Sequence, residues 1–308
     1  MVKKSESEKQ KTMKINKFYF VAAFSLVMSA CTQSEVVENG NLENENVLLA
    51  EFANDNSRVS LDGLNLSWSE GDQFKVVSDA SSILDFSLTD AAKGEFTSKD
   101  KFDGKMMYAA FPSQYVSNMI KAGSDEAPTY TGWYNLPTRY AAGESLKNFP
   151  LRGQVKGGTV LVNHLMTLLK LTVNNLPAEA TGIELSATNT RLGGYYRTNL
   201  KDSEAVLKVS EVSPDGTNVD EQYKSDHAKY LLQRSGTGSK EVFYIALPAK
   251  EYESFEVVVL KSPTDYADEK GNIKRMGRFK AKFGGEKKEM ARQHIYNVEV
   301  SISEEPKN

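Results

Sequence analysis

The sequence predicts an all-β protein behind an N-terminal export signal, and three observations indicate this. From Val47 onward, short apolar runs alternate with turn residues, the spacing that is typical of strands. Few segments keep a helical periodicity for ten residues between glycines and prolines. Before Val47 lies one strongly apolar run, Phe18–Val27, which ends shortly before the only cysteine, Cys31. We therefore expect a β-sandwich architecture for the folded part.

The apolar run near the start has the layout of a secretory signal. Lys14 and Lys17 form a positive flank, and Met28–Ala30 is a small-residue approach to the cysteine. Phe18–Ala30 has about 13 residues, whereas a membrane-spanning helix needs roughly 20. We predict a signal peptide over residues 1–30, with Met13 as an alternative start because residues 1–12 are rich in lysine and glutamate.

The stretch Leu26–Cys31 resembles the lipobox of bacterial lipoproteins. The resemblance implies that the peptide is cut before Cys31 and that the Cys31 thiol is diacylated. More than one acyl chain is what makes membrane anchoring stable. The alternative is a buried helix with an inert core cysteine.

Charge restricts the classes of partner. The 308-residue chain has 38 basic and 41 acidic residues, and removing residues 1–30 leaves 278 residues with 32 basic and 39 acidic. This acidic balance argues against nucleic acid or an anionic membrane surface as the partner. With Cys31 acylated, no disulfide can form, so buried cores must supply the stability.

The mature chain divides into a tether and two predicted domains. Residues 31–46 are polar and acidic without apolar periodicity, which indicates a flexible tether. The apolar run Val160–Asn174 precedes a predicted boundary, so the domains are 47–176 and 177–308. Glycine-rich stretches at Gly153–Gly158, Gly193–Gly194 and 235–239 are predicted as exposed loops.

The first predicted strand is Val47–Ala53. Leu64, Leu66 and Trp68 alternate with polar residues, as on a half-buried strand. The remaining predicted strands are Phe74–Val77, Ile83–Leu88, Gly94–Ser98, Lys105–Phe111, Val160–Leu165, Leu168–Asn174, Ile183–Thr188, Val242–Leu247, Phe255–Leu260, Arg278–Phe283 and Gln293–Ile302.

Motifs for catalysis or metal binding are missing from the sequence. His164, His227 and His294 stand far apart without metal-ligand spacing, and His164 fits a hydrogen-bonded core residue better than a ligand. The sequence has no nucleotide-binding, zinc-protease or serine-hydrolase motif. We expect no enzymatic activity, no cofactor and no metal.

An aromatic cluster occupies the polar stretch between Tyr115 and Tyr140. Trp133 and Tyr134 are its candidates for a sugar-stacking surface. The alternative is that these rings pack beneath a long loop.

Several stretches, taken together, resemble the fimbrillin family, the type V pilins and fimbrillin-like lipoproteins of Bacteroidales. Besides the lipobox at Cys31, the resemblance is carried by Ser57–Leu61, Leu66–Phe74, Tyr108–Pro112, Asn163–Leu171, Tyr244–Pro248 and Tyr296–Val300. It implies two tandem β-sandwich domains of transthyretin- or immunoglobulin-like type. It also implies a lipoprotein that reaches the outer membrane and cell surface and assembles with other subunits, as a homo- or heteropolymer, into fimbriae.

The family also implies a maturation route. A trypsin-like protease cuts after an Arg or Lys that follows the first strand, and the matching position here is Arg58. Loss of the segment through Arg58 would remove a strand carrying Leu48, Leu49 and Phe52 and open an apolar groove for a neighbouring subunit's strand. The family's donor region maps to Tyr296, Val298, Val300 and Ile302.

Other outcomes remain open from the sequence. If Arg58 is uncut, the protein stays lipid-anchored as a base, accessory or tip component or as a solitary lipoprotein. A second hypothesis is a non-polymerising surface lipoprotein that binds a host or other glycan.

Overall fold

The structure is a computed structural model that describes residues 46–52, 67–141, 148–188, 191–218, 227–231, 239–260 and 275–304. Cys31 and Arg58, the predicted lipidation and cleavage sites, lie outside these ranges. Within the described residues the regular elements are strands and one short 3-10 turn, Ser113–Tyr115, without an α-helix. The all-β prediction is confirmed.

The strands have the following bounds in chain order. They are β1 (Val47–Phe52), β2 (Gln73–Ser78), β3 (Ile83–Asp90), β4 (Glu95–Thr97), β5 (Met106–Phe111), β6 (Val116–Ala122), β7 (Thr129–Leu136), β8 (Arg139–Tyr140), β9 (Leu151–Lys156), β10 (Thr159–His164), β11 (Met166–Asn174), β12 (Gly182–Ala187), β13 (Gly194–Asn199), β14 (Lys208–Val209), β15 (His227–Leu231), β16 (Glu241–Pro248), β17 (Lys250–Leu260), β18 (Arg275–Met290), β19 (Ile295–Ser301) and β20 (Ser303–Glu304).

These strands form four sheets. The N-terminal one is a closed seven-stranded barrel in the order β1-β10-β9-β5-β2-β3-β4. The others have the orders β16-β11-β19, β20-β18-β17-β12-β15-β8 and β14-β13-β7-β6. The sequence did not predict closure of this sheet, because closure depends on β1 pairing with β4 on one edge and with β10 on the other.

Two pairs of the described strands are parallel over four or more residues. β1 pairs in parallel with β10 over Leu49–Phe52 and Thr159–Val162. β11 pairs in parallel with β19 over Leu168–Asn174 and Ile295–Ser301. A third parallel pair, β8 with β15, covers two residues, and the other pairs among the described strands are antiparallel.

Two hydrophobic clusters form the core, and all described residues lie in one compact unit. The first cluster is mainly the barrel interior, with side chains such as Leu48, Phe74 and Phe96, together with Tyr134 and Tyr196 from the four-stranded sheet. The second lies between the three- and six-stranded sheets and includes Leu171, Ile245 and Val257. The domain boundary near residue 176 stays a prediction.

Several loop predictions were wrong. The stretch between Tyr115 and Tyr140 contains a hairpin, β6–β7, and not a long loop. Gly153 and Gly194 are buried within β9 and β13, while Gly157 and Gly158 do form a turn. Gly153 is needed because a Cβ there would lie 2.4 Å from the Leu161 carbonyl oxygen.

The chain passes from the barrel to the second cluster at His164. Its ring packs at 4.6 Å from the Phe149 ring, and its Nδ1 atom is buried without a hydrogen-bond partner among the described residues. Arg292 donates to the His164 carbonyl oxygen at 3.4 Å. Burial, with a smaller contribution from Arg292, lowers the pKa of His164 to about 4.

Acid should therefore weaken the fold through His164. The unfolded chain takes up a proton near pH 6.5, whereas the folded chain resists protonation until about pH 4. Between these values, the contribution of His164 to the free energy of unfolding decreases as the pH falls, by up to about 3 kcal/mol. Urea unfolding of wild type and His164→Gln across this range should show a steeper loss for wild type.

His294→Gln is the matched control, because His294 is an exposed histidine in the same region of the fold. Parallel stability curves for wild type and His164→Gln would contradict the assignment.

Candidate functional site

The candidate site is the position of β1 in the barrel. β1 pairs antiparallel with β4, with Leu48 opposite Phe96, and parallel with β10, with Ala50 opposite Val160. The Leu49 N–H donates to the Gly158 carbonyl and the Ala50 N–H to the Gly94 carbonyl, both at 2.8 Å. β1 is thus an inserted strand that closes the barrel, with a pairing partner on each edge.

The side chains of β1 divide between interior and surface. Leu48 and Ala50 are buried in the first cluster, whereas Leu49 and Phe52 are half-buried and Glu51 is exposed. Of the three residues predicted for a removable strand, Leu48 faces the interior and Leu49 and Phe52 lie partly at the surface, while Ala50 is an inward residue that sequence reasoning missed. That the strand is removable stays a prediction. Full burial of a side chain such as Leu48 stabilises by roughly 1.5–3 kcal/mol.

Trp68, next to the turn that leads into β2, contacts β1 through its side chain. Its indole Nε1 donates to the Ala50 carbonyl at 3.1 Å, and its ring stacks on Phe52 at 4.5 Å. The turn is fixed by Asp72, whose carboxylate accepts the Ser69 N–H at 2.8 Å. This contact gives a physical role to the Trp-Ser-Glu-Gly-Asp sequence, although Ser67 and Trp68 are not in a strand as predicted.

Gly94 lets β1 and Trp68 approach the β3–β4 turn. A Cβ at this position would lie 2.3 Å from the Ala50 carbonyl oxygen and 3.0 Å from the Trp68 Nε1 atom. The backbone also has φ +63°, which disfavours any residue with a Cβ. Glycine is therefore required here both by the conformation and by the space.

Taking β1 out would leave a slot with two open edges. Hydrogen-bonding groups of β4 on one side and β10 on the other would lose their partners, and the space of Leu48 and Ala50 would open into the first cluster. The predicted cleavage position, Arg58, follows Phe52 in sequence but lies outside the described residues. Such a slot would be suited to binding an extended strand, since it would combine unpaired backbone groups with apolar pockets.

The predicted donor residues lie on and just after β19, an edge strand of its sheet. Tyr296 and Val298 are half-buried, and Val300 and Ile302 are buried in the second cluster. These four residues occupy every second position, as the inward-facing Leu48 and Ala50 do in β1. β19 has a described strand neighbour, β11, on one side only.

A second concave region lies on the four-stranded sheet. Register places Asn118, Trp133, Arg197 and Lys208 opposite one another across β6, β7, β13 and β14. Trp133, Arg197 and Lys208 line a cleft of about 560 Å³. We call it the Trp133 cleft.

One wall of the Trp133 cleft is the segment Asp202–Val206. Arg152, buried in β9, supports this segment by donating to the carbonyl oxygens of Leu200, at 3.2 Å, and Asp202. Arg292 forms an ion pair with Glu204 at 2.5 Å. Burial and the charge of Arg292 lower the pKa of Arg152.

The structure separates the two aromatic residues proposed for ligand binding. Tyr134 is fully buried, and its hydroxyl donates to the Leu151 carbonyl at 2.9 Å, so it is a core residue with no face for a ligand. Burial also raises its pKa. Trp133 is 7% exposed, belongs to neither hydrophobic cluster and lines the cleft.

The described residues contain neither a metal-binding cluster nor a membrane-spanning helix. There, no group of three or more His, Cys, Asp or Glu side chains is arranged to hold a metal ion. In that same part of the chain, no helix has the length and apolarity to span a bilayer.

No family model and no curated protein matches the chain. The solved structures similar to it include three that are each described as a "putative cell adhesion protein". The protein from Bacteroides ovatus is 13% identical, with a TM-score of 0.44, over 84% of this chain and 94% of its own. The one from Bacteroides uniformis is 12% identical, with a TM-score of 0.39, over 83% and 93%.

The third, from Bacteroides fragilis, is 12% identical with a TM-score of 0.35, over 79% of this chain and 83% of its own. At such scores the similarity is too distant to carry a functional argument.

Gly94→Ala should loosen β1 specifically. We expect the free energy of unfolding to fall by about 2–4 kcal/mol, because strain at positive φ adds to the clash with Ala50. Gly71→Ala is the control, since Gly71 has φ +90° but no atom within 4 Å of an added Cβ. Gly71→Ala should lower the free energy of unfolding only by the backbone strain at positive φ, about 1–2 kcal/mol. Equal losses in urea titrations of the two variants would exclude the close approach as the cause.

Proposed function

We propose that the protein is a fimbrial structural subunit or accessory adhesin that is exported as a lipoprotein and assembled at the cell surface by protease-triggered strand exchange. The observation that carries the proposal is β1: one strand closes the barrel, with two pairing edges and two inward side chains. The family resemblance of the sequence supports the same assignment. The proposal includes lipidation at Cys31, cleavage after Arg58 and a tandem β-sandwich organisation, with β1 joining the sheet edges of the first half.

Cleavage would change the competition for the slot. While the chain is intact, β1 is tethered beside its own slot at a high effective concentration. A cut after Arg58 turns β1 into a separate segment that can dissociate. A strand from a neighbouring subunit can then restore both the hydrogen bonds to β4 and β10 and the burial of apolar side chains.

The proposed donor is β19 with Ile302. Leaving its own edge exposes Val300 and Ile302, which are buried against the second cluster. Entering the slot buries them again in positions that Leu48 and Ala50 vacate. Because the donor strand loses buried contacts at its own edge and regains them in the slot, the net free energy of the transfer is small compared with that of either contact alone.

The test uses the chain from residue 31 with Cys31→Ser, treated with an Arg-specific protease. We expect a product that begins at Val59 and forms oligomers stable in unheated detergent. Arg58→Ala should remain whole and monomeric. A cut product that stays monomeric, or an Arg58→Ala protein that assembles equally well, would exclude protease-triggered polymerisation.

Peptide competition tests the identity of the donor strand. A labelled peptide of residues 296–302 should bind the cut protein, and excess Val47–Phe52 peptide should displace it. The same donor peptide with Asp at both Val298 and Val300 should fail to bind, because carboxylates cannot enter the apolar slot. Equal binding of both donor peptides would contradict insertion.

A further inference from the structure

The Trp133 cleft has features that strand exchange does not use. Its floor is the face of the four-stranded sheet opposite Tyr134 and Tyr196, which belong to the first cluster. Trp133 lines the cleft, and its Nε1 atom is buried without a hydrogen-bond partner among the described residues. A buried indole N–H normally has a partner, so Trp133 brings an unused donor to the lining of the cleft.

Two cations border the indole. Arg197 pairs directly with Trp133 on one side and with Lys208 on the other, so the two charges lie opposite each other on neighbouring strands. Both residues are exposed, and neither forms an ion pair with any described residue. Like charges directly opposite on a sheet are destabilising, and an anionic group between them would remove the repulsion.

The rest of the lining is suited to hydroxyl groups. Thr131 and Asn199 lie opposite each other on β7 and β13, and the Asp202 carboxylate stands on the wall. Amide, hydroxyl and carboxylate groups together can both donate to and accept from a polyhydroxylated ring. The volume of about 560 Å³ falls within the usual range of small-molecule sites.

From this combination we propose that the Trp133 cleft binds a carboxylated oligosaccharide. A sugar ring lies against Trp133, its hydroxyls bond to Thr131, Asn199 and Asp202, and its carboxylate is held by Arg197 and Lys208. An Arg guanidinium binds a carboxylate in a two-pronged geometry, and charge-assisted bonds of this kind are the strong ones.

A phosphate ligand fits the lining less well. Phosphate sites are commonly built from free backbone N–H groups at a helix N-terminus or a turn nest. The floor of this cleft is made of strands whose N–H groups are engaged in the sheet ladder. An extended peptide is also disfavoured, because the floor is a sheet face and not an edge.

The test is calorimetric titration of the uncut chain from residue 31 with Cys31→Ser, so that binding does not depend on cleavage or polymerisation. The probes are trigalacturonate, a hyaluronan tetrasaccharide and 3′-sialyllactose, with maltotriose and lactose as neutral sugars and uridine monophosphate as the phosphate probe. We expect at least one carboxylated sugar to bind, with affinity that falls as salt rises, and the neutral sugars to bind weakly or not at all.

Three variants assign the binding to the cleft. Arg197→Gln should weaken binding by about tenfold, and the double variant with Lys208→Gln should weaken it further, toward about a hundredfold. Trp133→Phe keeps an aromatic ring but loses the N–H and should also weaken binding. Lys156→Gln, an exposed lysine on β9, is the matched charge control and should leave affinity unchanged.

Binding by none of the three carboxylated sugars would overturn the proposal. So would equal binding of the neutral sugars, preferred binding of uridine monophosphate, or an unchanged affinity in Arg197→Gln. None of these results would bear on strand exchange, which involves β1 of the barrel and β19 of the three-stranded sheet.

Discussion

The hydrogen bond from the Trp68 indole to the Ala50 carbonyl is the contact on which the N-terminal barrel depends. β1 has only six residues, so its position rests on neighbours along its whole length. β4 and β10 satisfy its backbone, the first cluster takes Leu48 and Ala50, and Trp68 covers Phe52. Trp68 also meets Phe74, Phe96 and Phe111 edge-on, so the same ring connects the closing strand to the aromatic centre of the core.

That arrangement explains why a removable strand and a stable core can coexist. Only Leu48 and Ala50 among the buried residues of the first cluster belong to β1, and β2, β5, β9 and β10 are hydrogen-bonded to one another independently of it. If β1 left, as the proposed strand exchange requires, the other six strands would keep their pairings as an open sheet. Its groove and two unpaired edges would then be open to a strand of suitable pattern.

Local sequence pattern predicted strands that bury one face. It did not predict pairings between strands that are far apart in the chain. A short apolar run identified β1, and β19 also shows the alternation of a half-buried strand. The β7 pattern Tyr130, Gly132, Tyr134, Leu136 alternates equally well, but the glycines and prolines around it favoured a loop. Barrel closure and the Trp133–Arg197–Lys208 row had no local signal, because both arise from register between segments far apart in the chain.

The parallel pairing of β11 with β19 has a mechanical consequence. Tension applied to the entry of β11 and the exit of β19 pulls two parallel neighbours in opposite directions along their length. All the hydrogen bonds between Leu168–Asn174 and Ile295–Ser301 then bear the load together, in shear, and none can open alone. The pair β1 and β10 repeats this geometry in the first half. A chain pulled from its two ends therefore meets two such parallel pairs in series, and each resists extension until its hydrogen bonds break together.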